Sequence, residues 1–279
     1  MGDSLVSREL GSQDEALLRA FWEPEPEAHL FAIPDLDHLG WGDARLRYSG
    51  WFRGGELVGY LMVYGISAQW SYVDDAVVPG LVEAIQNREP RIRFTTGMER
   101  TVWPVLDRLT EGGIKRYERS IVARLPEERF NPSTLHASPG RARQATLDDL
   151  ELVTAVHVAA PDQFNQLGYE ARRRALRSAL MDEWRRIFLA ETLDGKVVAS
   201  AQTSAEGNEM AVIGGVVTHP AYRGHGYATA ATAHLCAALL PEGKEPYLFY
   251  RRDNVPAARV YEKIGFITLG DALLAELKW

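Results

Sequence analysis

The feature that most restricts the fold of this chain is an order of strands and helices that runs twice, on either side of a turn-rich break. Residues 127–144, EERFNPSTLHASPGRARQ, gather Asn-Pro and Ser-Pro-Gly without hydrophobic periodicity, which is the composition of a connection. Beyond the break, residue patterning predicts a strand over 141–146 and helices over 148–160 and 168–184. Strands follow at 186–192 and 197–205, turning at Asp194-Gly195, a favoured hairpin pair. Next come the strand EMAVIGGVVT (209–218), a helix after a glycine-rich turn, the strand YLFYR (247–251), a helix over 255–264 and closing strands. Before the break, RGGELVGYLMVYG (53–65) parallels LDGKVVASAQTSA (193–205), and residues 91–125 repeat the strand, helix and strand of 247–277. Shared α/β texture is the alternative to a true duplication. The expectation is an α/β (mixed α+β) chain with domains at 1–130 and 141–279 and a linker at 131–140.

Length and composition agree with that plan. A chain of 279 residues, 46% hydrophobic and 25% charged, has a core to bury and room for one large or two ordinary domains. A net charge of −7 excludes a bulk electrostatic grip on nucleic acid or an anionic membrane, leaving only a local basic groove. The single Cys236 has no partner for an internal disulfide and reads as a small buried hydrophobe suited to a reducing compartment. No run approaches the ~20 apolar residues of a membrane span. The opening MGDSLVSREL lacks a signal core, and Val6 stands where a myristoylation motif wants Ser or Thr. A cytoplasmic location is expected. The seven histidines are scattered without cysteine partners, so no metal site is expected, and no nucleophile elbow for a Ser/His/Asp triad is found.

Chemistry concentrates at HPAYRGHGYATAATAHL, residues 219–235. A strand ending at Thr218-His219-Pro220, then Arg223-Gly224-His225-Gly226-Tyr227-Ala228-Thr229, then a helix, aims unpaired backbone N–H groups outward at a helix N-terminus. Such a turn suits a pyrophosphate. A tight strand-to-helix turn is the plain alternative. It is not a P-loop, because no Gly-Lys-Ser/Thr follows, nor a dinucleotide fingerprint, because Gly-x-Gly-x-x-Gly is absent. The second motif is DNVPAARVYEKIGF, residues 253–266. With both motifs in order, the sequence resembles the GNAT superfamily of acyl-CoA-dependent N-acyltransferases. The phosphate loop Arg/Gln-x-x-Gly-x-Gly/Ala is matched by Arg223, Gly226 and Ala228. The later motif is matched by Asn254, Ala257, Tyr261, Gly265 and Phe266.

The resemblance is firm over 141–279 and architectural over 1–130. It implies tandem GNAT-like domains, each a mixed, mostly antiparallel twisted sheet flanked by helices. It also implies acetyl-CoA as cofactor, with CoA as product. The backbone of Val216, Val217 and Thr218 would pair with the pantetheine arm, and residues 223–229 would take the pyrophosphate. Asn254 would bond the pantetheine. Tyr261 would protonate the departing thiolate as general acid, with a core aromatic as the plain alternative. An amine attacking the thioester needs its proton removed, and Glu209 is the favoured base. His219, Glu191 and Asp253 are the others considered.

The first half departs from the pattern. Leu106 stands opposite Tyr261, and Glu99 opposite Asn254. The stretch YVDDAVVPGLVEAIQ (72–86) has no glycine-rich turn and brings Asp74 and Asp75 to where a pyrophosphate would lie. That half reads as one without cofactor binding. The expected activity is acetylation of a small-molecule amine, by a monomeric pseudo-dimer or a homodimer. A non-catalytic acyl-CoA sensor and a protein or peptide N-acetyltransferase are the rivals.

Overall fold

The computed structural model describes residues 4–109, 112–160 and 167–279. The sequence readings that fall on residues 1–3 and 110–111 lie outside them. In chain order the strands are β1 (Val6–Leu10), β2 (Leu46–Arg53), β3 (Glu56–Tyr64), β4 (Ser67–Tyr72), β5 (Phe94–Met98), β6 (Gly113–Arg124), β7 (Arg141–Gln144), β8 (Ile187–Glu191), β9 (Val197–Glu206), β10 (Met210–Thr218), β11 (Glu245–Arg251) and β12 (Ile267–Lys278). The helices are α1 (Glu15–Trp22), α2 (Ala32–Leu39), α3 (Val78–Gln86), α4 (Glu99–Leu106), α5 (Leu150–Ala159), α6 (Tyr169–Leu180), α7 (Tyr227–Leu239) and α8 (Val255–Ile264). The mixed α/β character expected from the sequence is what the chain shows.

Two compact units form, Met1–Val122 with Leu269–Trp279, and Ala123–Thr268. This division differs from the expected one in two places. First, the closing strand belongs with the first unit rather than with 141–279. There the strands run β1-β2-β3-β4-β5-β12-β6, and β12 pairs antiparallel with β5, Ala272 opposite Met98 and Glu276 opposite Phe94. The buried Glu276 carboxylate fixes it by accepting from Arg93 (3.3 Å), Lys115 (3.0 Å) and Arg116 (2.6 Å). Trp279 Nε1 donates to the Ile92 carbonyl at 2.6 Å. Second, residues 131–140 are not a free linker. Asn131 caps a short 3-10 helix, Pro132–His136, and its N–H and Nδ2 donate to the Ile264 and Lys263 carbonyls at the end of α8 (2.9 and 3.1 Å). The turn-forming composition that marks a linker here builds a capped turn instead.

In the first unit, alternate residues of β3 serve opposite cores. Tyr60 and Met62 pack with Leu18, Trp22 and Leu36 under α1 and α2, while Leu61 and Val63 pack with Leu81, Ile85 and Val105 under α3 and α4. In the second unit the strands run β11-β10-β9-β8-β7. Ile187 and Leu189 of β8 face α5 and α6, whereas Phe188 and Ala190 face α7 and α8. With both faces covered, β8 is apolar from Ile187 to Ala190, as a doubly covered strand should be.

Both units also open on the same local device. Arg8 donates to both carboxylate oxygens of Asp14 (2.7 and 2.6 Å), and Asp14 Oδ2 accepts the Gly11 N–H at 3.0 Å. Arg143 does the same to Asp149 (2.7 Å twice), whose Oδ2 accepts the Thr146 N–H at 2.8 Å. The spacing Arg-x5-Asp is identical in the two halves. Matching contacts at matching spacing favour duplication over shared texture.

Candidate functional site

Strand β10 opens the site. It pairs in parallel with β11 only from Met210 to Ile213, opposite Glu245 to Leu248. Beyond that, Gly214–Thr218 keeps its antiparallel partner β9 and leaves β11. The register with β9 slips between Gly214 and Val217, a bulge in which Gly215 takes a φ of +54°. The Gly214-Gly215 pair inside a strand was the sequence signal for this bulge. The positive φ favours glycine at 215, and a Cβ there would also crowd the Gln202 side chain at 2.8 Å. Val216, Val217 and Thr218 thus form a half-buried strand end with backbone groups on the β11 side free of strand pairing.

The strand runs into the loop. His219 Nδ1 accepts the Ala221 N–H at 3.3 Å and starts the 3-10 turn Pro220–Tyr222. Arg223 is extended and exposed, its Nε donating to the Thr218 carbonyl at 3.4 Å. Gly224 follows at φ +81°, and a Cβ there would have nothing within 4 Å. His225 is exposed, and Gly226 at φ +80° caps α7 without a side-chain hydrogen bond. Gly226 serves the fold: a Cβ would meet the Ala137 carbonyl oxygen at 1.9 Å. Of the two glycines, then, Gly224 faces open space and Gly226 admits the preceding chain. Tyr227 and Thr229 are buried, with the half-buried Ala228 between them.

Helix α8 supplies the second motif. Asn254 is its N-cap, Oδ1 accepting the Ala257 N–H at 3.2 Å, so the Nδ2 hydrogens remain for another partner. Tyr261 is buried with Cys236, Tyr227, Ile213 and Leu248 in the apolar cluster against which Val216 also packs. Its ring lies edge-on to Phe266 (5.7 Å) and tilted to Tyr250 of β11 (5.4 Å). Burial pushes the phenol pKa well above its ordinary value, with Cys236 and Tyr250 adding to the shift. The group therefore holds its proton through neutral pH. Tyr250, which flanks it, escaped the sequence reading because nothing in YLFYR marks one aromatic over another.

The structure does not bring Glu209 to this place. It is exposed and precedes β10 at its closed end, where its carbonyl accepts the Glu245 N–H at 2.9 Å. From there to Ile213 is four residues of strand, about 13 Å. The parallel pairing lies between Glu209 and the opening. Of the other bases considered, Glu191 is buried and clamped by Arg141 (2.5 Å) and Arg143 (2.7 Å), and Asp253 is paired with Arg251 at 2.6 Å.

The first unit has a counterpart of the opening, differently furnished. Its β4 and β5 pair in parallel only at Ser67–Phe94 and Ala68–Thr95. Past that point Gln69 Nε2 donates to the Thr96 carbonyl (3.4 Å) and Trp70 Nε1 to the Thr101 carbonyl (3.0 Å). Gln69 Oε1 also accepts the N–H groups of Phe31 (3.2 Å) and Ala32 (2.8 Å). Asp74 caps the turn before α3 and binds Arg53 at 2.7 Å.

Residues 152–266 match the model of the Acetyltransferase (GNAT) family, and the second unit therefore carries a GNAT acetyltransferase domain. Solved structures extend the likeness to nearly the whole chain. A GNAT-family acetyltransferase from Colwellia psychrerythraea is 12% identical with a TM-score of 0.60, over 99% of this chain and 100% of the other. A tandem GNAT protein of the clavulanic acid biosynthesis pathway is 15% identical with a TM-score of 0.59, over 98% of both chains. A putative GNAT acetyltransferase from Novosphingobium aromaticivorans is 18% identical with a TM-score of 0.57, over 90% of this chain and 98% of the other. Identities this low carry the fold, which is the GNAT fold in tandem. No curated protein matches the sequence.

Proposed function

We propose that the second unit moves an acetyl group from acetyl-CoA to the amine of a small molecule by direct attack. The observation that carries this reading is the open strand end at Val216–Thr218, which leads straight into a glycine turn with free space around Gly224. These residues fit the cofactor. The backbone of 216–218 on the side that has left β11 suits an amide-bearing pantetheine arm, and the turn before α7 offers N–H groups to a pyrophosphate. Acetyl-CoA supplies the thioester. Asn254 Nδ2 would donate to the arm, and Tyr261, kept protonated by burial, would supply the proton the thiolate takes up. With Glu209 beyond the parallel pairing, the acceptor amine reacts in its neutral form, the proton it sheds as the amide forms passing to water while the thiolate takes one from Tyr261, which water then reprotonates.

Titration calorimetry with acetyl-CoA, followed by thiol release with a panel of small amines, tests the reading. Micromolar binding and amine-dependent turnover are expected. Gly224→Ala should lose affinity while the fold holds, because its Cβ enters open space at a strained φ. Binding without turnover above hydrolysis would instead make the protein an acyl-CoA sensor. Turnover only with peptides would make it a peptide N-acetyltransferase.

A further inference from the structure

Beside the cofactor turn stands a cation that neither the fold nor the chemistry above uses. Lys196 is exposed at the end of the β8–β9 hairpin, at the start of β9. Its ammonium donates to Tyr222 Oη at 3.0 Å and lies 4.9 Å from the Tyr222 ring centroid. Among the described residues no carboxylate comes within ion-pair distance of it. Asp194, the nearby acid on the same hairpin, accepts instead from Thr192 Oγ1. Tyr222 is held at the turn, edge-on to His219 (5.6 Å) and to Tyr227, the first residue of α7 (6.3 Å). Arg223, the next residue, is exposed. A lysine propped on a neutral phenol, with Asp194 near enough to feel its charge yet outside ion-pair distance, keeps two of its three N–H donors available. It stands next to the turn proposed for the pyrophosphate, on a chain whose net charge is −7.

We infer that Lys196, oriented by Tyr222 and seconded by Arg223, binds the phosphate monoester on the ribose of the acyl-CoA nucleotide. The inference rests on the cofactor reading of the same loop and adds the discrimination of CoA from its 3′-dephospho form. A pyrophosphate needs the backbone donors of the turn, and both forms of the cofactor carry it. The ribose phosphate adds about two negative charges beyond it at neutral pH. A side-chain cation beside the turn, rather than the turn itself, is what separates the two forms.

Calorimetry with CoA and with 3′-dephospho-CoA tests this without an acceptor. Wild-type protein should prefer CoA by roughly tenfold or more, the worth of one charge-assisted hydrogen bond. Lys196→Gln should bring CoA affinity down to that for the dephospho form, Tyr222→Phe should lose part of the preference, and Lys196→Arg should keep it. Circular dichroism checks that each variant is folded. Equal wild-type affinity for the two ligands, or an undiminished preference in Lys196→Gln, overturns the inference while leaving the cofactor reading intact. Failure of the wild type to bind either ligand overturns both.

Discussion

The spacing of Tyr261 to Asn254 and Gly265 made it the candidate acid, and the structure gives the surroundings of its hydroxyl. A phenol packed between Tyr250 and Phe266 in an apolar cluster cannot ionise at neutral pH. Replacing Tyr261 by Phe keeps the ring and removes the hydroxyl. The transfer rate should fall ~10²–10⁴-fold in kcat, with acetyl-CoA affinity unchanged, since the proton passes only as the thioester breaks. Single-turnover kinetics with an amine found by the panel measures this step. An unchanged rate would make Tyr261 a packing residue. Gly226 and Glu209 show where residue-level reading stops. The glycine pattern gave the position of the turn, but Ala137, nearly ninety residues upstream, is what forbids a side chain at Gly226. Glu209 stands next to β10 in sequence, yet strand register decides which end of a strand faces the opening.

At the scale of elements, the helix starts carry a signal that periodicity misses. The Arg143–Asp149 bridge ties β7 to the turn before α5, and Arg8–Asp14 ties β1 to the turn before α1. The Arg143 guanidinium holds the Asp149 carboxyl at a pKa of about 2, helped by the Thr146 N–H and opposed by burial. Because the folded pKa lies below the ordinary carboxylate value, the stabilisation is complete above about pH 4 and disappears as pH falls toward 2. Solvent on the arginine side screens the pair, so its worth is of order 1 kcal/mol. Asp149→Asn should therefore lower the urea midpoint at pH 6, and the gap to wild type should close by about pH 2. A gap that stays constant with pH would mean the loss comes from shape rather than charge. Among the strands, the Gly214-Gly215 pair was a bulge signal that the sequence reading passed over. The hairpin at Asp194-Gly195 was plain from local turn chemistry.

For the whole molecule, the sequence marked two halves but not which unit receives the last strand. Alternation in ITLGDALLAELK identifies a strand, and pairing partners are set by contacts far along the chain. The same limit applies to the two openings. Both halves contain a parallel pair that parts after a few residues, and composition alone showed only that the first lacks the glycine turn and carries Asp74 and Asp75. The structure shows what occupies the first opening. Gln69 and Trp70 donate across it to Thr96 and Thr101, and Gln69 also takes the N–H groups of Phe31 and Ala32. These side chains are thereby tied across the opening, and displacing them would leave buried polar atoms without partners. Acetyl-CoA should therefore bind with a stoichiometry of one per chain at saturation. Gly224→Ala should weaken that single event without revealing a second, weaker one. Two sites per chain in calorimetry would show that the first opening admits the cofactor, with Gln69 giving way.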